Sequence, residues 1–190
     1  MGRTAPQIRT SARRIAGCAL FSFSLSASAV SSQPANQGVM AHELVVGTHL
    51  DLSGPLAPWG TAVRNGLEMA IKEANDAGGV NGRRILLAVR DDGYDPKRAE
   101  QAARELVTQD RVFAILSPLG TPTAQAAMRQ ALSRGVLYLF PLTASEEAYH
   151  PVEPLKFAVT PSHRFAVQEG LRRILNARGA MRVEIGRAHV

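Results

Sequence analysis

Short apolar runs alternate along the chain with longer stretches in which apolar residues recur every three or four positions. The runs are rich in Val, Leu and Ile, which is typical of buried strands. They predict five strands, at 43–50, 83–91, 111–116, 135–140 and 156–160. The stretches between them have helical periodicity. They predict helices at 61–77, from Pro96 onward, from Pro122 onward and at 163–177, and "MRV" (181–183) can start a sixth strand.

The alternation of strands and helices predicts an α/β fold, in which a parallel sheet is flanked by helices on both faces. In such a sheet the carboxyl ends of the strands meet at one edge, and ligands bind beyond that edge. The loops at 51–60, 91–95, 117–122 and 141–146 are therefore expected along a single rim. Functional residues are expected on this rim.

The first 29 residues have the pattern of an export signal. A basic start is followed by the apolar stretch "IAGCALFSFSLSASAV", and Ala27-Ser28-Ala29 offers small residues for cleavage. The apolar stretch is too short to span a bilayer. "IAGC" matches a lipoprotein cleavage pattern, but the segment before Cys18 is polar and basic, so we favour a soluble exported protein. Residues 30–41 are then expected to be a linker.

The formal charge of +6 is concentrated in this signal, which holds four Arg and no acid. The rest of the chain carries 18 basic and 16 acidic residues, which gives no electrostatic reason to expect a nucleic-acid partner. Cys18 is the only cysteine. Removal of the signal therefore leaves a mature chain without disulfides or thiol chemistry, which suits an oxidising compartment.

The predicted loops carry none of the common cofactor or nucleophile motifs. No G-x-G-x-x-G follows a strand, and the sequence has neither a phosphate-binding loop with its Lys nor a G-x-S-x-G elbow. Four histidines show no metal-ligand spacing, and surface or capping roles are expected for them: His42, His49, His150 and His163. We expect no catalytic residue, no metal and no cofactor.

Asp91 and Asp92 leave one enzymatic alternative open. Acids at a strand end can bind Mg²⁺ or accept a phosphoryl group, so a Mg²⁺-dependent phosphotransfer domain is a competing hypothesis. Turn formation by Asp91-Asp92-Gly93 explains the same residues. A calcium loop is excluded because its twelfth position, counted from Asp91, is Ala102.

Two neutral turns on the predicted rim suit a different chemistry. In "SPLGTPTAQA" (117–126), Thr121 is expected to cap the helix that begins with Pro122. "PLTASEE" (141–147) offers the hydroxyls of Thr143 and Ser145 beside another helix start. Helix N-termini and hydroxyls without Lys or Arg favour a carboxylate over a polyphosphate, and nearby carbonyls can accept from an ammonium. The turns therefore fit a zwitterionic amino acid, although two ordinary helix caps explain each turn alone equally well.

Five segments, in this order, carry a family resemblance. They are "LDLSGPLAPWG", "G…A…EANDAGGVNGR", "DDGYDPKRAEQAARELV", "VFAILSPLGTPTAQA" and "FAVTPS". With them, the chain from about Leu44 to Val183 resembles the branched-chain amino-acid (leucine/isoleucine/valine) substrate-binding proteins of ABC transporters, which have the type I periplasmic-binding fold. The resemblance implies two α/β lobes with the ligand in the cleft between them. It places an incomplete first lobe at 42–160 and the start of the second at 161–183.

The resemblance also implies site residues and partners. The loop with Trp59 would form one wall of the pocket, and the ring would pack on the apolar part of the ligand. The first carboxylate-binding turn matches Pro118 to Thr121, where Thr121 and backbone groups would serve because Pro118 replaces a serine found in some members. The second turn matches 142–145, with Thr143 and Ser145 as alternatives. The expected ligand-binding residues are Trp59, Leu119, Gly120, Thr121, Leu142, Thr143, Ala144 and Ser145.

The function implied by the resemblance is capture of a branched-chain or related amino acid, or an amide, in the periplasm. The protein, as a monomer, would then deliver the ligand to an ABC transporter permease, without catalysis. A sensory or regulatory ligand-binding domain of the same fold is the alternative. Residues 184–190, "EIGRAHV", back-translate to a sequence like that of a sequencing adapter, and they are expected to be a non-native tail.

Overall fold

The computed structural model describes residues 37–179, which form one five-stranded parallel sheet with helices around it. The strands are β1 (Glu43–Leu50), β2 (Arg84–Asp91), β3 (Ala114–Leu116), β4 (Leu137–Leu139) and β5 (Lys156–Phe157). The helices are α1 (Ala57–Asp76), α2 (Pro96–Thr108), α3 (Thr121–Leu132) and α4 (His163–Arg178), with a short 3-10 helix at Glu146–Ala148. The predicted α/β fold class is confirmed.

The order of strands in the sheet is β2-β1-β3-β4-β5, and all neighbours run parallel. The chain therefore moves outward from β1 to β2 and then returns past β1 to β3. Such a reversal opens a crevice beyond the carboxyl ends of the two strands on either side of it. Here those strands are β1 and β3, so the loop after β1 and the turn after β3 flank the crevice.

The hydrophobic core lies where α2 and α3 pack together on the sheet. The predicted apolar face of α3 is buried there through Ala124, Ala127, Met128 and Ala131. The stripe predicted for α1 is only partly buried, and Gly60 is the one fully buried residue of that helix. None of the residues of α4 is buried.

Helix α2 begins at Pro96 as predicted, and a side chain caps it. Asp95 accepts a hydrogen bond from the Arg98 backbone N–H at 2.8 Å, and Pro96 is the first residue of α2. Gly179 follows α4 in the left-handed conformation, with φ +59°. In contrast, α1 begins at Ala57, four residues before the predicted start at 61, because the loop after β1 is tighter than expected.

Three strands are shorter than predicted. β3 begins at Ala114 instead of 111, because Arg111 takes a left-handed φ of +51°, and it ends at Leu116 as predicted, where Ser117 takes +46°. β4 ends at Leu139 instead of 140, because Phe140 takes +56°. β5 pairs only Lys156 and Phe157 with β4. Left-handed dihedrals break the ladder of a strand and turn the chain away from it. The strand ends thus mark where the two turns of the rim begin.

Residues 37–39 are packed against the domain, although they fall within the predicted linker at 30–41. The Gln37 side chain donates to the carbonyl oxygens of Val107 and Val112, both at 3.3 Å. Gly38 accepts from the Val45 backbone N–H at 2.8 Å. The predicted export signal, the remainder of the linker up to 36, "MRV" and the predicted tail at 184–190 lie outside the described residues. Within 37–179, no helix is both long and apolar enough to cross a membrane.

Candidate ligand-binding site

The two predicted turns lie side by side at the edge of the sheet, because β3 and β4 are neighbours. Leu119 and Leu142 form a parallel bridge beyond the strand ends. The Leu142 N–H donates to the Pro118 carbonyl at 2.8 Å, and the Gly120 N–H donates to the Leu142 carbonyl at 3.4 Å. These backbone bonds fix the relative position of the turns before any side chain contributes.

Two threonine hydroxyls meet between the turns. The Oγ1 atoms of Thr121 and Thr143 lie 2.8 Å apart, and the Ser145 backbone N–H donates to Thr143 Oγ1 at 3.2 Å. Only one hydroxyl proton can occupy the bond between the threonines. Among the hydrogen bonds of residues 37–179, the second hydroxyl proton has no acceptor, so it is free to bind a ligand oxygen.

Ser145 adds a further unused hydroxyl. Its side-chain oxygen is buried and makes no hydrogen bond of normal geometry within the part of the chain that the structure describes, although, after the Glu147 backbone N–H, it helps to lower the pKa of the Glu147 carboxyl. A buried hydroxyl without a partner is costly, so such groups usually mark strain, a missing water or a ligand site. The sequence left Thr143 and Ser145 as alternatives, and the structure places both in the same turn.

The predicted capping role of Thr121 is wrong. Thr121 is the first residue of α3, and the N-cap position belongs to Gly120, which makes no side-chain cap. Gly120 has φ +98°, and a Cβ there would lie 2.5 Å from Cε2 of Tyr94. Position 120 therefore requires glycine, and Gly120 is the N-cap residue. Thr121 is then the first residue of the helix, and its hydroxyl can bond to that of Thr143.

The second turn is also tied to the start of α4. Thr160 Oγ1 donates to the Thr143 carbonyl at 3.0 Å, and the His163 N–H donates to the Ala144 carbonyl at 2.8 Å. Ser162 caps α4 by accepting from the Phe165 N–H at 3.2 Å. A movement of α4 would therefore be transmitted to the turn that carries Thr143 and Ser145.

Two carboxylates hold the loop that leads to Trp59. Asp51 is fully buried and accepts from the backbone N–H groups of Gly54 and Leu56 at 2.5 and 2.6 Å. Asp91 accepts from the Leu52 N–H at 2.8 Å. Trp59 itself stands in the first turn of α1 with 69% of its surface exposed. The indole is thus available to a ligand or to another part of the protein.

Asp91 is strongly stabilised in its ionised form. Burial raises the pKa of this carboxyl, but hydrogen bonds from Ser53, from the Leu52 and Gly93 N–H groups and from Arg98 outweigh that effect and lower the pKa to about 2. The Arg98 Nη2 atom lies 3.0 Å from Asp91 Oδ2. Asp91 is therefore engaged in holding the loops together.

Comparison with known proteins agrees with this geometry. The family model for periplasmic binding proteins matches residues 43–185. The chain belongs to the periplasmic binding protein family. One relative is the leucine-specific-binding protein of Salmonella typhimurium, which is 32% identical over 112 residues, covering 59% of this chain and 30% of that protein.

Two solved structures are similar to this periplasmic binding protein. A possible leucine/isoleucine/valine-binding protein from Rhodopirellula baltica has a TM-score of 0.65 and 25% identity, covering 80% of this chain and 38% of the other. A branched-chain amino acid transporter substrate binding protein from Streptococcus pneumoniae, in complex with isoleucine, has a TM-score of 0.54 and 30% identity, covering 56% and 31%. The chain spans about a third of the length of these relatives.

Sequence reasoning missed one buried polar cluster of this periplasmic binding protein. His49 was predicted to have a surface or capping role, which is wrong: the residue is fully buried. Its Nδ1 atom lies 2.7 Å from Asp92 Oδ2, and its Nε2 atom lies 2.9 Å from Tyr138 Oη. Burial and the charge of Asp92 raise the pKa of Tyr138 well above its ordinary value. The available signal was a histidine inside the apolar run "ELVVGTHL".

The two acids of the phosphotransfer alternative have structural partners. Asp92 is buried against His49, and its other oxygen accepts from the Tyr94 N–H at 2.9 Å, which is the predicted turn bond. Asp91 holds Leu52, Ser53 and Arg98 as described above. Within 37–179, no group of three or more His, Cys, Asp or Glu side chains is arranged to hold a metal ion.

Proposed function

We propose that the protein is an extracytoplasmic solute-binding protein, which captures a branched-chain or related amino acid, or an amide, for an ABC transporter. The observation that carries this proposal is the pair of threonine hydroxyls, Thr121 and Thr143, joined between two neutral turns at the edge of the sheet. One of their protons and the Ser145 hydroxyl are free to bind the carboxylate of a ligand. The turns contain no Lys or Arg that would favour a phosphate.

The apolar part of the ligand is assigned to Trp59. Its exposed ring stands in the first turn of α1, directly after the loop that flanks the same crevice as the turn after β3. An exposed aromatic side chain next to a polar cluster suits a ligand with one charged and one apolar end. The names of the relatives, leucine-specific-binding protein and possible leucine/isoleucine/valine-binding protein, support this ligand class.

The proposal includes a division of the chain into two lobes. Residues 42–160 would form the first lobe and 161–183 the start of the second. The absence of buried residues in α4 supports a boundary near residue 161. The protein would act outside the cytoplasmic membrane as a monomer, bind without catalysis and deliver its ligand to a permease. The carboxylates of Asp91 and Asp92 already bond to other residues of the protein, and this disfavours the phosphotransfer alternative.

A thermal-unfolding panel tests the ligand class. A ligand that binds only the folded state raises the melting temperature by mass action. Leucine, isoleucine and valine at millimolar concentration are expected to raise it, while lysine and glutamate are not. A panel without any stabilising amino acid, or with lysine as the best one, would contradict the proposal.

A further inference from the structure

Three fully buried polar side chains form a connected chain across the sheet: His49 on β1, Asp92 after β2 and Tyr138 on β4. We name it the buried polar chain. His49 is at its centre, 2.7 Å from the carboxylate of Asp92 and 2.9 Å from the hydroxyl of Tyr138. Tyr138 Oη also lies 3.2 Å from the carbonyl oxygen of Ala124 in α3. Each of the three side chains thus has at least one polar partner.

The buried polar chain crosses β3 without using a residue of that strand. β1 and β4 are separated by β3 in the sheet order, so the bond between His49 and Tyr138 passes over it. The register pairs Gly47 with Ile115, which places His49 at the level of Ser117, where β3 has ended. The imidazole therefore lies over the point at which the backbone leaves the sheet for the first candidate turn.

Both ends of the buried polar chain contact that turn or the helix after it. At one end, Asp92 fixes the Tyr94 backbone, and the Tyr94 ring lies so close to Gly120 that a Cβ there would be 2.5 Å from it. At the other end, Tyr138 meets Ala124, whose N–H donates to the Gly120 carbonyl at 3.0 Å. The segment 120–124, which carries Thr121, is held between the two tyrosines.

We propose that His49 is a positioning residue, which links Asp92 to Tyr138 and thereby holds segment 120–124 so that the Thr121 hydroxyl meets Thr143. Apolar residues at all three positions would fill the same space and would leave no buried carboxylate to be paired. A buried polar network that is satisfied at every member fixes one arrangement of its neighbours, since any shift leaves a donor or acceptor unpaired. The assignment of a ligand to this segment rests on the proposed function, whereas the positioning itself does not.

Tyr138→Phe breaks the buried polar chain at the hydroxyl that contacts both His49 and the Ala124 carbonyl, and it keeps the aromatic ring in the core. Val107→Ala on α2 is the matched core control, since it removes buried apolar atoms and no side-chain hydrogen bond. Thr48→Val controls for position: Thr48 precedes His49 on β1, is equally buried and has a hydroxyl without a partner in the described region. His49→Leu is avoided because it would leave the Asp92 carboxylate without its imidazole.

Amide hydrogen exchange in the 190-residue chain gives the readout. Gly120, Ala124 and Leu142 have backbone N–H groups bonded within or between the two turns. Local opening of a segment lowers the protection of its own amides beyond the global loss of stability. Relative to Val107→Ala, and after correction for global stability, Tyr138→Phe is expected to lower protection at these amides about three- to tenfold. Equal protection in the two variants would overturn the proposal.

A ligand titration separates this proposal from the proposed function. With isoleucine as the probe, Tyr138→Phe is expected to weaken binding about three- to tenfold, while Val107→Ala and Thr48→Val leave it unchanged. Equal weakening by Tyr138→Phe and Val107→Ala would overturn the link to the ligand. A wild-type chain that binds none of isoleucine, leucine and valine contradicts the proposed function, and the exchange comparison alone then decides whether the buried polar chain positions the turn.

Discussion

The hydroxyl oxygens of Thr121 and Thr143 lie 2.8 Å apart across two turns that follow neighbouring strands, although 22 positions separate them in the sequence. A direct hydroxyl pair of this kind leaves one proton for a ligand oxygen. The contact depends on β3 and β4 being adjacent and on α3 beginning one residue earlier than its proline suggests.

Thr121→Val and Thr143→Val should weaken the binding of leucine or isoleucine by about 1–3 kcal/mol, because the carboxylate loses a hydrogen-bond donor. Valine preserves the shape of the side chain and removes only the hydroxyl. Calorimetric titration measures the effect. Thr108→Val is the control, since its hydroxyl bonds to the Arg104 carbonyl within α2, far along the chain from both turns. If both turn variants bind as well as the control, the turns do not hold the ligand.

Gly60 and Gly66 in α1 should respond oppositely to alanine. A Cβ at Gly60 would lie 1.9 Å from the Asp51 carbonyl oxygen, so Gly60→Ala should lower the free energy of unfolding by about 1–3 kcal/mol. Gly66 has open space around it in the same helix, so Gly66→Ala should raise that free energy by about 0.5–1 kcal/mol. Urea unfolding of the two variants checks the pair. Similar effects in both would mean that α1 does not approach the end of β1 this closely.

Asp91 should make stability depend on acid pH. Its pKa of about 2 in the folded state lies below the ordinary 3.8, so ionised Asp91 stabilises the fold above about pH 4, and this contribution is lost as the pH falls toward 2. Because the carboxylate is partly exposed, the contribution is about 1–2 kcal/mol. The difference in unfolding free energy between wild type and Asp91→Asn should shrink over that interval. Asp76→Asn, at an exposed pair with Lys72, is the control for removal of a surface carboxylate.

The export signal predicted at residues 1–29 is tested by N-terminal sequencing of protein recovered from outside the cytoplasm. Cleavage after Ala29 should give a chain that begins near Val30. Recovery of a chain that retains Arg3 and stays in the cytoplasm would contradict the prediction.

The sequence predicted the parts of the fold that depend on local pattern. The strands, the Asp95 cap with Pro96 and the apolar face of α3 follow from periodicity and capping chemistry, and the sheet edge follows from their order. The start of β3 and the end of β4 were not predictable in the same way, because Arg111 and Phe140 adopt left-handed dihedrals that their residue types do not favour.

The errors at the site arose from long-range contacts. Thr is a residue type that commonly caps helices. However, the Tyr94 ring leaves space only for glycine at position 120, and Gly120 is the N-cap residue in place of Thr121. Histidine is a residue type that is common at the surface. The buried partners of His49, Asp92 and Tyr138, lie 43 and 89 positions away in the sequence. The apolar run around His49 indicates burial, but the neighbouring residues do not indicate which side chains His49 contacts.

The most direct measurement follows the backbone amide chemical shifts by NMR while the 190-residue chain is titrated with isoleucine. This method detects weak as well as tight binding and assigns it to residues. We expect saturable shifts that centre on 119–121 and 142–145, accompanied by a change at the Trp59 indole N–H. Saturable shifts centred elsewhere in the chain, or none at millimolar isoleucine, would contradict the assignment of the two turns as the ligand site.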